Sequence, residues 1–234
     1  MSSRSKQIPL PLGLPSDPSF ANFITGSNRE ARAALGDIAG GVGERVVCLW
    51  GQSGTGKTHL LRAVCREAVR QNRKAVYLSC RAAGSLEENT PSGFQQADLI
   101  CIDDMDTLAG NREREDTLFY LYNLLEARGT GVLVAGEHNP AGTGFSLRDL
   151  ESRLTAALVL RLHPLDDDGK RMALKYRAKE RGFTLSDEVV AFLLRRCHRD
   201  MHSLFVLLDT IDEATLTEKR LATIPFVREL LKWS

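Results

Sequence analysis

Residues 51–58 have the sequence GQSGTGKT, and their types and spacing suit the binding of phosphate groups. The segment matches the Walker A pattern G-x-x-x-x-G-K-[ST] at every fixed position, between a predicted strand and a predicted helix. Glycines let such a backbone curl so that its N–H groups face phosphate oxygens. We expect Lys57 to reach the β- and γ-phosphates of a nucleotide and Thr58 to place its hydroxyl on Mg²⁺. The candidate phosphate-binding residues are Gly51, Ser53, Gly54, Thr55, Gly56, Lys57, Thr58 and His59.

Two carboxylates end the later apolar run LICIDD, residues 99–104. Four apolar residues predict a buried strand, and Asp103 would emerge at its carboxyl end, where a carboxylate can orient Mg²⁺. Asp104 follows directly and could polarise an attacking water molecule. A strand-ending turn is the ordinary explanation of two neighbouring aspartates. Because this pair follows a complete phosphate loop, we favour metal and water chemistry.

Short apolar runs and helical stretches alternate through the first two thirds of the chain, which predicts βαβ units and an α/β fold. We expect a five-stranded parallel sheet flanked by helices, with strands at 45–50, 75–80, 99–104, 131–136 and 158–162. The predicted helices cover 29–38, 59–71, 114–128 and 146–154, the last with Ser146 as its N-cap.

After Pro164 every predicted element is helical, and Ser186 is a good N-cap for one of these helices. Four of the eight prolines lie in residues 1–19, which predicts an extended segment. We therefore expect an extended tail over residues 1–19, an α/β domain over 20–164 and a small all-α domain over 165–234.

The composition is that of an ordinary globular protein, with 43% hydrophobic and 26% charged residues and a net charge of +1. Nothing in this balance demands nucleic acid or an anionic membrane as a partner. No apolar run approaches the roughly 20 residues that span a bilayer, and the N-terminus lacks the apolar core of a secretory signal. The five cysteines form no C-x-x-C pair, which argues for free thiols in a reducing compartment. We expect a cytoplasmic protein.

Four segments together resemble the AAA+ core of the bacterial replication initiator family DnaA: FANFITGSNREARAAL (20–35), GQSGTGKTHLLRAV (51–64), LICIDDMDTLAG (99–110) and LRDLESRL (147–154). The segments QIPLPLGLP (7–15) and TIPFVRELLKW (223–233) resemble the Hda family, which comprises shorter DnaA-related proteins that inactivate DnaA. The resemblance implies an AAA+ P-loop NTPase followed by a small helical lid domain. DnaA continues into a DNA-binding domain beyond this point, and we expect no helix-turn-helix that reads origin DNA here.

The resemblance assigns further roles. Arg153 matches the arginine finger, which in AAA+ assemblies reaches the γ-phosphate of a nucleotide held by a neighbouring subunit. Glu137 lies at the sensor 1 position, where a carboxylate could hold a catalytic water molecule or an arginine, although a polar strand end explains it equally well. His202 stands where both families commonly carry the sensor 2 arginine. This departure puts a phosphate contact from the lid in question, because histidine is shorter and mostly neutral at pH 7; Arg199 is nearby and could substitute.

The resemblance also implies the nucleotide, ADP or ATP with Mg²⁺, with ADP as the resting ligand. Phe20, Phe23 and Ile24 could form an apolar wall around adenine or could be plain core. The intact Walker A and Walker B residues make hydrolysis chemically feasible. Because an isolated subunit lacks a finger from a neighbour, we expect slow intrinsic turnover and a main role as activator of the ATPase of DnaA.

The segment QIPLPL (7–12) would by itself be a stiff linker, since two prolines hold it extended. With the resemblance, it implies a peptide that docks on the DNA sliding clamp, the β subunit of DNA polymerase III. Gln7 would hydrogen-bond at a pocket rim while Ile8, Leu10 and Leu12 fill apolar clefts. The implied function is negative regulation of replication initiation: the chain contacts DNA through the clamp, near the nucleoid and replisome, and supplies Arg153 in trans to ATP-bound DnaA. Assembly into a homo-oligomer stays open, and no membrane partner is expected.

Two other functions share some of these features. An independent AAA+ ATPase, such as a helicase loader, predicts self-assembly and contacts with single-stranded DNA, but the sequence has no basic run interleaved with aromatic residues. A small P-loop kinase would need an acceptor site and a lid of its own kind, whereas the helical C-terminal region resembles an AAA+ lid.

Overall fold

The protein is described by a computed structural model over residues 17–81, Phe94, residues 96–197 and residues 200–232. It divides into two compact units, Asp17–Leu165 and a second unit that begins at Asp166. The predicted tail, including Gln7, Ile8, Leu10 and Leu12, lies outside the described residues. None of the helices within the described ranges is long and apolar enough to cross a membrane.

The first unit is built on a five-stranded sheet in which every neighbouring pair of strands is parallel. The strand order is β2-β3-β4-β1-β5. Every residue of β3 and β4 is buried, which explains why the central strands are continuous apolar runs in the sequence. The strands are β1 Val46–Trp50, β2 Ala75–Ser79, β3 Leu99–Asp103, β4 Gly131–Gly136 and β5 Leu158–Arg161, so the predicted parallel sheet is confirmed.

Helices cover both faces of this sheet, as right-handed crossovers between parallel strands require. On one face, apolar side chains such as Leu35 and Leu61 pack against the sheet. On the other face, Leu125 and Leu150 belong to a separate apolar cluster. The first face carries α1 Arg29–Gly40 and α2 Lys57–Arg70, and the second carries α3 Arg112–Arg128 and α4 Arg148–Ala156.

The second unit contains four α-helices among its described residues, in agreement with the predicted all-α lid. They are α5 Asp167–Glu180, α6 Asp187–Arg196, α7 Met201–Glu218 and α8 Ile224–Leu230. Each begins after a side chain that accepts a backbone N–H of its first turn, and Ser186 is one of these caps, as predicted. Arg181, directly after α5, pairs with Asp209 at 2.7 Å and Asp212 at 3.1 Å, both on α7, and thereby links the two helices.

The start of α4 differs from the prediction. The helix begins at Arg148 after Leu147, without a side-chain cap, so the assignment of Ser146 as N-cap was wrong. The carboxylate of Glu115, which is fully buried on α3, accepts the N–H of Ser146 at 3.1 Å and that of Leu147 at 2.7 Å. A full negative charge satisfies the free N–H groups at a helix start better than a hydroxyl does. The cap therefore comes from another helix.

Replacement of two glycines by alanine should change the free energy of unfolding in opposite directions. A Cβ on Gly36, inside α1, would meet nothing within 4 Å, whereas a Cβ on Gly51 would lie 2.6 Å from the carbonyl oxygen of Leu162. Gly36→Ala should therefore raise the free energy of unfolding by about 1 kcal/mol, the difference in helix propensity. Gly51→Ala should lower it by about 1–3 kcal/mol because backbone must move. Urea unfolding measures both, and shifts of the same sign would contradict the described backbone at one of the two sites.

Candidate phosphate-binding site

Three predicted segments meet at the carboxyl edge of the sheet: the phosphate loop after β1, the acidic pair at the end of β3 and Glu137 after β4. Strands β3, β4 and β1 are consecutive in the sheet. Because parallel strands end at the same edge, the side chains that follow them are neighbours. The sheet order therefore brings together residues that are far apart in the sequence.

The phosphate loop has the curled backbone that its glycines predict. Gly54 and Gly56 adopt positive φ angles of 77° and 96°. A side chain on Gly56 would also meet the ring of Phe23 at 2.8 Å, so there is no room for one. The Thr55 hydroxyl donates to the carbonyl oxygen of Gln52 at 2.9 Å, and Ser53 is exposed. Since no side chain caps the start of α2, its first N–H groups are available to an anion.

The amine of Lys57 lies inside this curl. It donates hydrogen bonds to the carbonyl oxygens of Gly51 and of Gln52, the latter at 3.1 Å. Burial lowers the pKa of this amine below its usual value, while the charges of Glu137 and Asp103 act in the opposite direction. An ammonium group held in this way can exchange carbonyl oxygens for phosphate oxygens without leaving the loop.

Asp103 is fully buried at the end of β3. Its carboxylate accepts the Tyr77 hydroxyl at 2.9 Å and the N–H of Asp104 at 3.0 Å. Burial, followed by the charge of Asp103, raises the pKa of Tyr77 to about 12, so the hydroxyl stays a donor. These contacts fix the carboxylate beside the phosphate loop, as a ligand of Mg²⁺ requires.

Magnesium fits these residues in the manner usual for phosphate sites. The described part of the chain has no group of three or more His, Cys, Asp or Glu side chains that could hold a metal ion alone. Mg²⁺ is commonly held by one or two protein oxygens together with phosphate oxygens and water. The carboxylate of Asp103 and the exposed hydroxyl of Thr58, in the first turn of α2, are suitable oxygens.

Asp104 has a strained backbone, with φ of 59°, and both of its carboxylate oxygens are occupied. Ser79 donates to one oxygen at 3.2 Å, and Nε of Arg81 pairs with the other at 2.9 Å. Arg81 itself is largely exposed, at 63% of its side-chain area. The carboxylate predicted to polarise water is therefore paired with a long, solvent-facing cation.

Asp106 belongs to the site but is missing from the residues predicted from the sequence. Its carboxylate accepts the backbone N–H of Glu137 and that of His138, the latter at 3.2 Å. A Cβ on Gly136 would lie 2.7 Å from the same carboxylate, so glycine is required there. Among the carboxylates that act on the Lys57 amine, Glu137 has the largest effect. Asp106 thus holds the backbone of the half-buried Glu137, the residue predicted to act as sensor 1.

His59 and the aromatic residues before α1 form the side wall of the loop. The Nε2 atom of His59 lies 3.0 Å from the carbonyl oxygen of Ser19, and its ring centroid is 5.7 Å from that of Phe23. Phe20 and Phe23 also pack against the apolar cluster under α2, and Ile24 is half-buried. His59 therefore contacts the segment that precedes α1. Both phenylalanines pack against the core, and Phe23 also lies beside the phosphate loop at Gly56.

Arg153 lies away from this site. It is on α4, on the opposite face of the sheet from α2. It lies about one turn before the end of α4, which leads into the amino end of β5. Its Nη1 donates to the carboxylate of Glu126, in the last turn of α3, at 2.8 Å. The side chain is 48% exposed. The structure thus separates Arg153 from the phosphate loop of its own chain.

His202 is in the second unit, in the first turn of α7, and its side chain is exposed. The turn is capped by Asp200, which accepts the N–H of Ser203 at 2.8 Å. Arg199, the residue considered as its substitute, lies outside the described residues.

Comparison with known protein families identifies the family to which the chain belongs. Residues 14–162, well over half of its length, match the family model of the bacterial DnaA ATPase domain. The chain belongs to the DnaA family. Residues 167–231 match the model of the Hda lid domain. The two matches together identify this member of the DnaA family as a DnaA-related, Hda-like regulator.

Solved structures agree with this assignment. Domain III of the replication initiation protein DnaA from Thermotoga maritima has a TM-score of 0.82 at 21% identity, covering 93% of this chain and 96% of that one. AMPPCP-bound DnaA from Aquifex aeolicus has a TM-score of 0.69 at 25% identity, covering 87% and 68%. The Thermotoga maritima Holliday junction branch migration motor RuvB has a TM-score of 0.67 at 17% identity, covering 92% and 71%. The two Thermotoga maritima likenesses show the fold alone.

Asp106→Ala tests the part that sequence reasoning missed. It would leave the N–H groups of Glu137 and His138 without their acceptor, and we expect the free energy of unfolding to fall by about 1–3 kcal/mol. Asp116→Ala is the matched control, because Asp116 is 54% exposed and pairs with the exposed Arg112. The change in its free energy of unfolding should stay within about 0.5 kcal/mol. Equal stability of the two variants in urea unfolding would mean that Asp106 does not hold the loop.

Proposed function

We propose that this chain binds an adenine nucleotide with Mg²⁺ at the carboxyl edge of its sheet and supplies Arg153 in trans to ATP-bound DnaA. Stimulated hydrolysis would leave DnaA in its ADP-bound form and so prevent re-initiation of replication. The observation that carries this proposal is the separation of Arg153 from its own phosphate loop. The relation to DnaA and to Hda supplies the partner.

The nucleotide site rests on the loop, Lys57 and Asp103. The glycine backbone and the start of α2 would bind the phosphates, and the Lys57 amine would neutralise them. The Thr58 hydroxyl and the Asp103 carboxylate would hold Mg²⁺, which supplies further neutralisation of the phosphate charge. The related DnaA from Aquifex aeolicus carries AMPPCP. Because the isolated chain lacks an arginine finger from a neighbour, we propose slow intrinsic hydrolysis, and the relation to Hda favours ADP as the resting ligand.

The trans role of Arg153 rests on distance and exposure. Strands of four to six residues extend about 13–20 Å, and the phosphate loop follows their carboxyl ends while Arg153 lies toward their amino ends. The sheet also stands between α4 and α2. A half-exposed guanidinium can enter a neighbouring molecule, where an arginine finger is worth roughly 10³–10⁵ in rate.

Docking on the sliding clamp is proposed from the sequence QIPLPL together with the relation to Hda. A peptide kept extended by two prolines loses less conformational entropy when it binds. Binding there would connect the chain to DNA through the clamp, at the replisome, and raise the local concentration of Arg153 near DnaA.

Arg153→Ala decides the finger assignment. With ATP-loaded DnaA and clamp on DNA, we expect the variant to lose at least about 100-fold of stimulated hydrolysis, because the charge that develops on the transferred phosphoryl group is no longer stabilised. Nucleotide binding and clamp binding should be unchanged. Arg148→Ala is the matched control, since Arg148 is an exposed arginine on the same helix. An Arg153→Ala variant that stimulates normally would refute the finger.

Deletion of residues 7–12 tests the clamp contact. The shortened chain should keep its unfolding midpoint and its nucleotide affinity, while its binding to immobilised clamp should disappear. A chain that lacks residues 2–6 controls for the loss of a terminal segment and should bind as before. Unchanged clamp affinity after deletion of 7–12 would exclude QIPLPL as the docking peptide.

A further inference from the structure

Arg153 pairs with Glu126, a residue that belongs to none of the sequence motifs. We propose that Glu126 is a positioning residue that orients the Arg153 guanidinium before it enters a nucleotide site on another molecule. This inference rests on the proposed function and adds to it the reason why the finger is ordered in the free chain.

The contact leaves most of the guanidinium free to bind phosphate. Nη1 of Arg153 donates to Oε2 of Glu126 at 2.8 Å, and among the described residues this is the one acceptor that Arg153 has. A guanidinium group carries five N–H donors, and a carboxylate bound through one nitrogen leaves the others free. Both side chains are about half exposed, at 48% and 45%. A phosphate can therefore approach Arg153 while the hydrogen bond to Glu126 persists.

Helix α3, which carries Glu126, is held against α4 at several points. Both α3 and α4 cross the same face of the sheet from its carboxyl edge toward its amino edge. Near their starts, Glu115 of α3 binds the backbone of Ser146 and Leu147. Near their ends, Glu126 binds Arg153. Between these contacts, apolar residues of both helices pack in one cluster: Leu118, Leu121, Leu125, Leu150 and Leu154. The backbone from which Glu126 extends is therefore held in place relative to α4.

The ion pair between Arg153 and Glu126 is too weak to keep the arginine from binding phosphate, but it can orient the arginine side chain. Exposed ion pairs are weak and are screened by salt, so Glu126 cannot hold Arg153 against the several negative charges of a triphosphate. It can, however, restrict the rotamers of a long side chain before binding. Immobilising such a side chain weakens an interaction by about 2- to 10-fold. We expect an effect of that size, which is much smaller than removal of the arginine itself.

The kinetic signature follows from where the finger acts. An arginine finger stabilises charge that develops during phosphoryl transfer, so its orientation changes the maximal rate more than the binding of the two proteins. A residue that only contributes to the interface would change the concentration for half-maximal stimulation. A competing inhibitory contact would raise the maximal rate when removed.

The experiment compares full-length Glu126→Ala, Glu126→Gln and Glu113→Ala with the wild type, using ATP-loaded DnaA and clamp on DNA. Glu113 is an exposed glutamate on the same helix, so it controls for the loss of charge. We expect Glu126→Ala to lower the maximal stimulated rate by about 2- to 10-fold at an unchanged half-maximal concentration. Glu126→Gln should recover most of the rate because its amide oxygen still accepts from Nη1. Glu113→Ala should equal the wild type.

Failure of this inference can be told from failure of the proposed function. An active wild type and an inactive Arg153→Ala variant, with full or increased activity of Glu126→Ala, would overturn the role of Glu126 alone. Equal activity of Arg153→Ala and wild type would overturn the finger. A measurement without DnaA completes the test: NMR relaxation of the Arg153 Nε–H should show an ordered side chain in the wild type and a more mobile one in Glu126→Ala. Equal order in both would also overturn the inference.

Discussion

Two carboxylates, Asp106 and Glu115, hold the chain between β4 and α4: the first binds the backbone directly after β4, and the second binds the start of α4. A backbone that leaves a parallel sheet loses its ladder partners, and buried N–H groups need new acceptors. Asp106 accepts two of these N–H groups, and Glu115 accepts those of Ser146, Leu147 and, at 2.8 Å, Gly110. A fully buried carboxylate is tolerated because three donors surround it.

The segment that follows β3 therefore influences chemistry at both ends of the sheet. Its first part, the short helix Met105–Leu108, carries Asp106 and so holds the backbone of Glu137 beside Lys57. Its second part, α3, positions α4 through Glu115 and touches Arg153 through Glu126. The same stretch also begins with the strained Asp104. Asp106 in this segment contacts the backbone of Glu137 near the phosphate loop, whereas Glu115 contacts the start of α4 and Glu126 contacts Arg153.

The sequence predicted the phosphate loop, the strands and the position of Asp103 because these features are local. Glycine spacing determines the curl, an apolar run determines a buried strand, and the residue after the strand lies at its carboxyl end. The roles of Asp106 and Glu115 depend instead on amides 31 or 32 residues away. Local preference also favoured Ser146 as a cap, and it was overruled by a charge from another helix. One sequence signal was present: a glycine that ends a buried strand, Gly136, indicates a close approach by another group.

The geometry has a consequence for any assembly that contains this chain. A phosphate loop at one edge of the sheet and an arginine on the opposite face toward the other edge belong to different surfaces. An interface that joins two such surfaces is heterologous, so copies joined in this way form a ring or an open filament, and a two-fold dimer cannot satisfy it. A partner that accepted Arg153 at its own nucleotide site would engage only one of these two surfaces of the chain. Under the proposed function, Arg153 would act chemically only next to another molecule, and turnover by the isolated chain would depend on Lys57 and Asp103 without it.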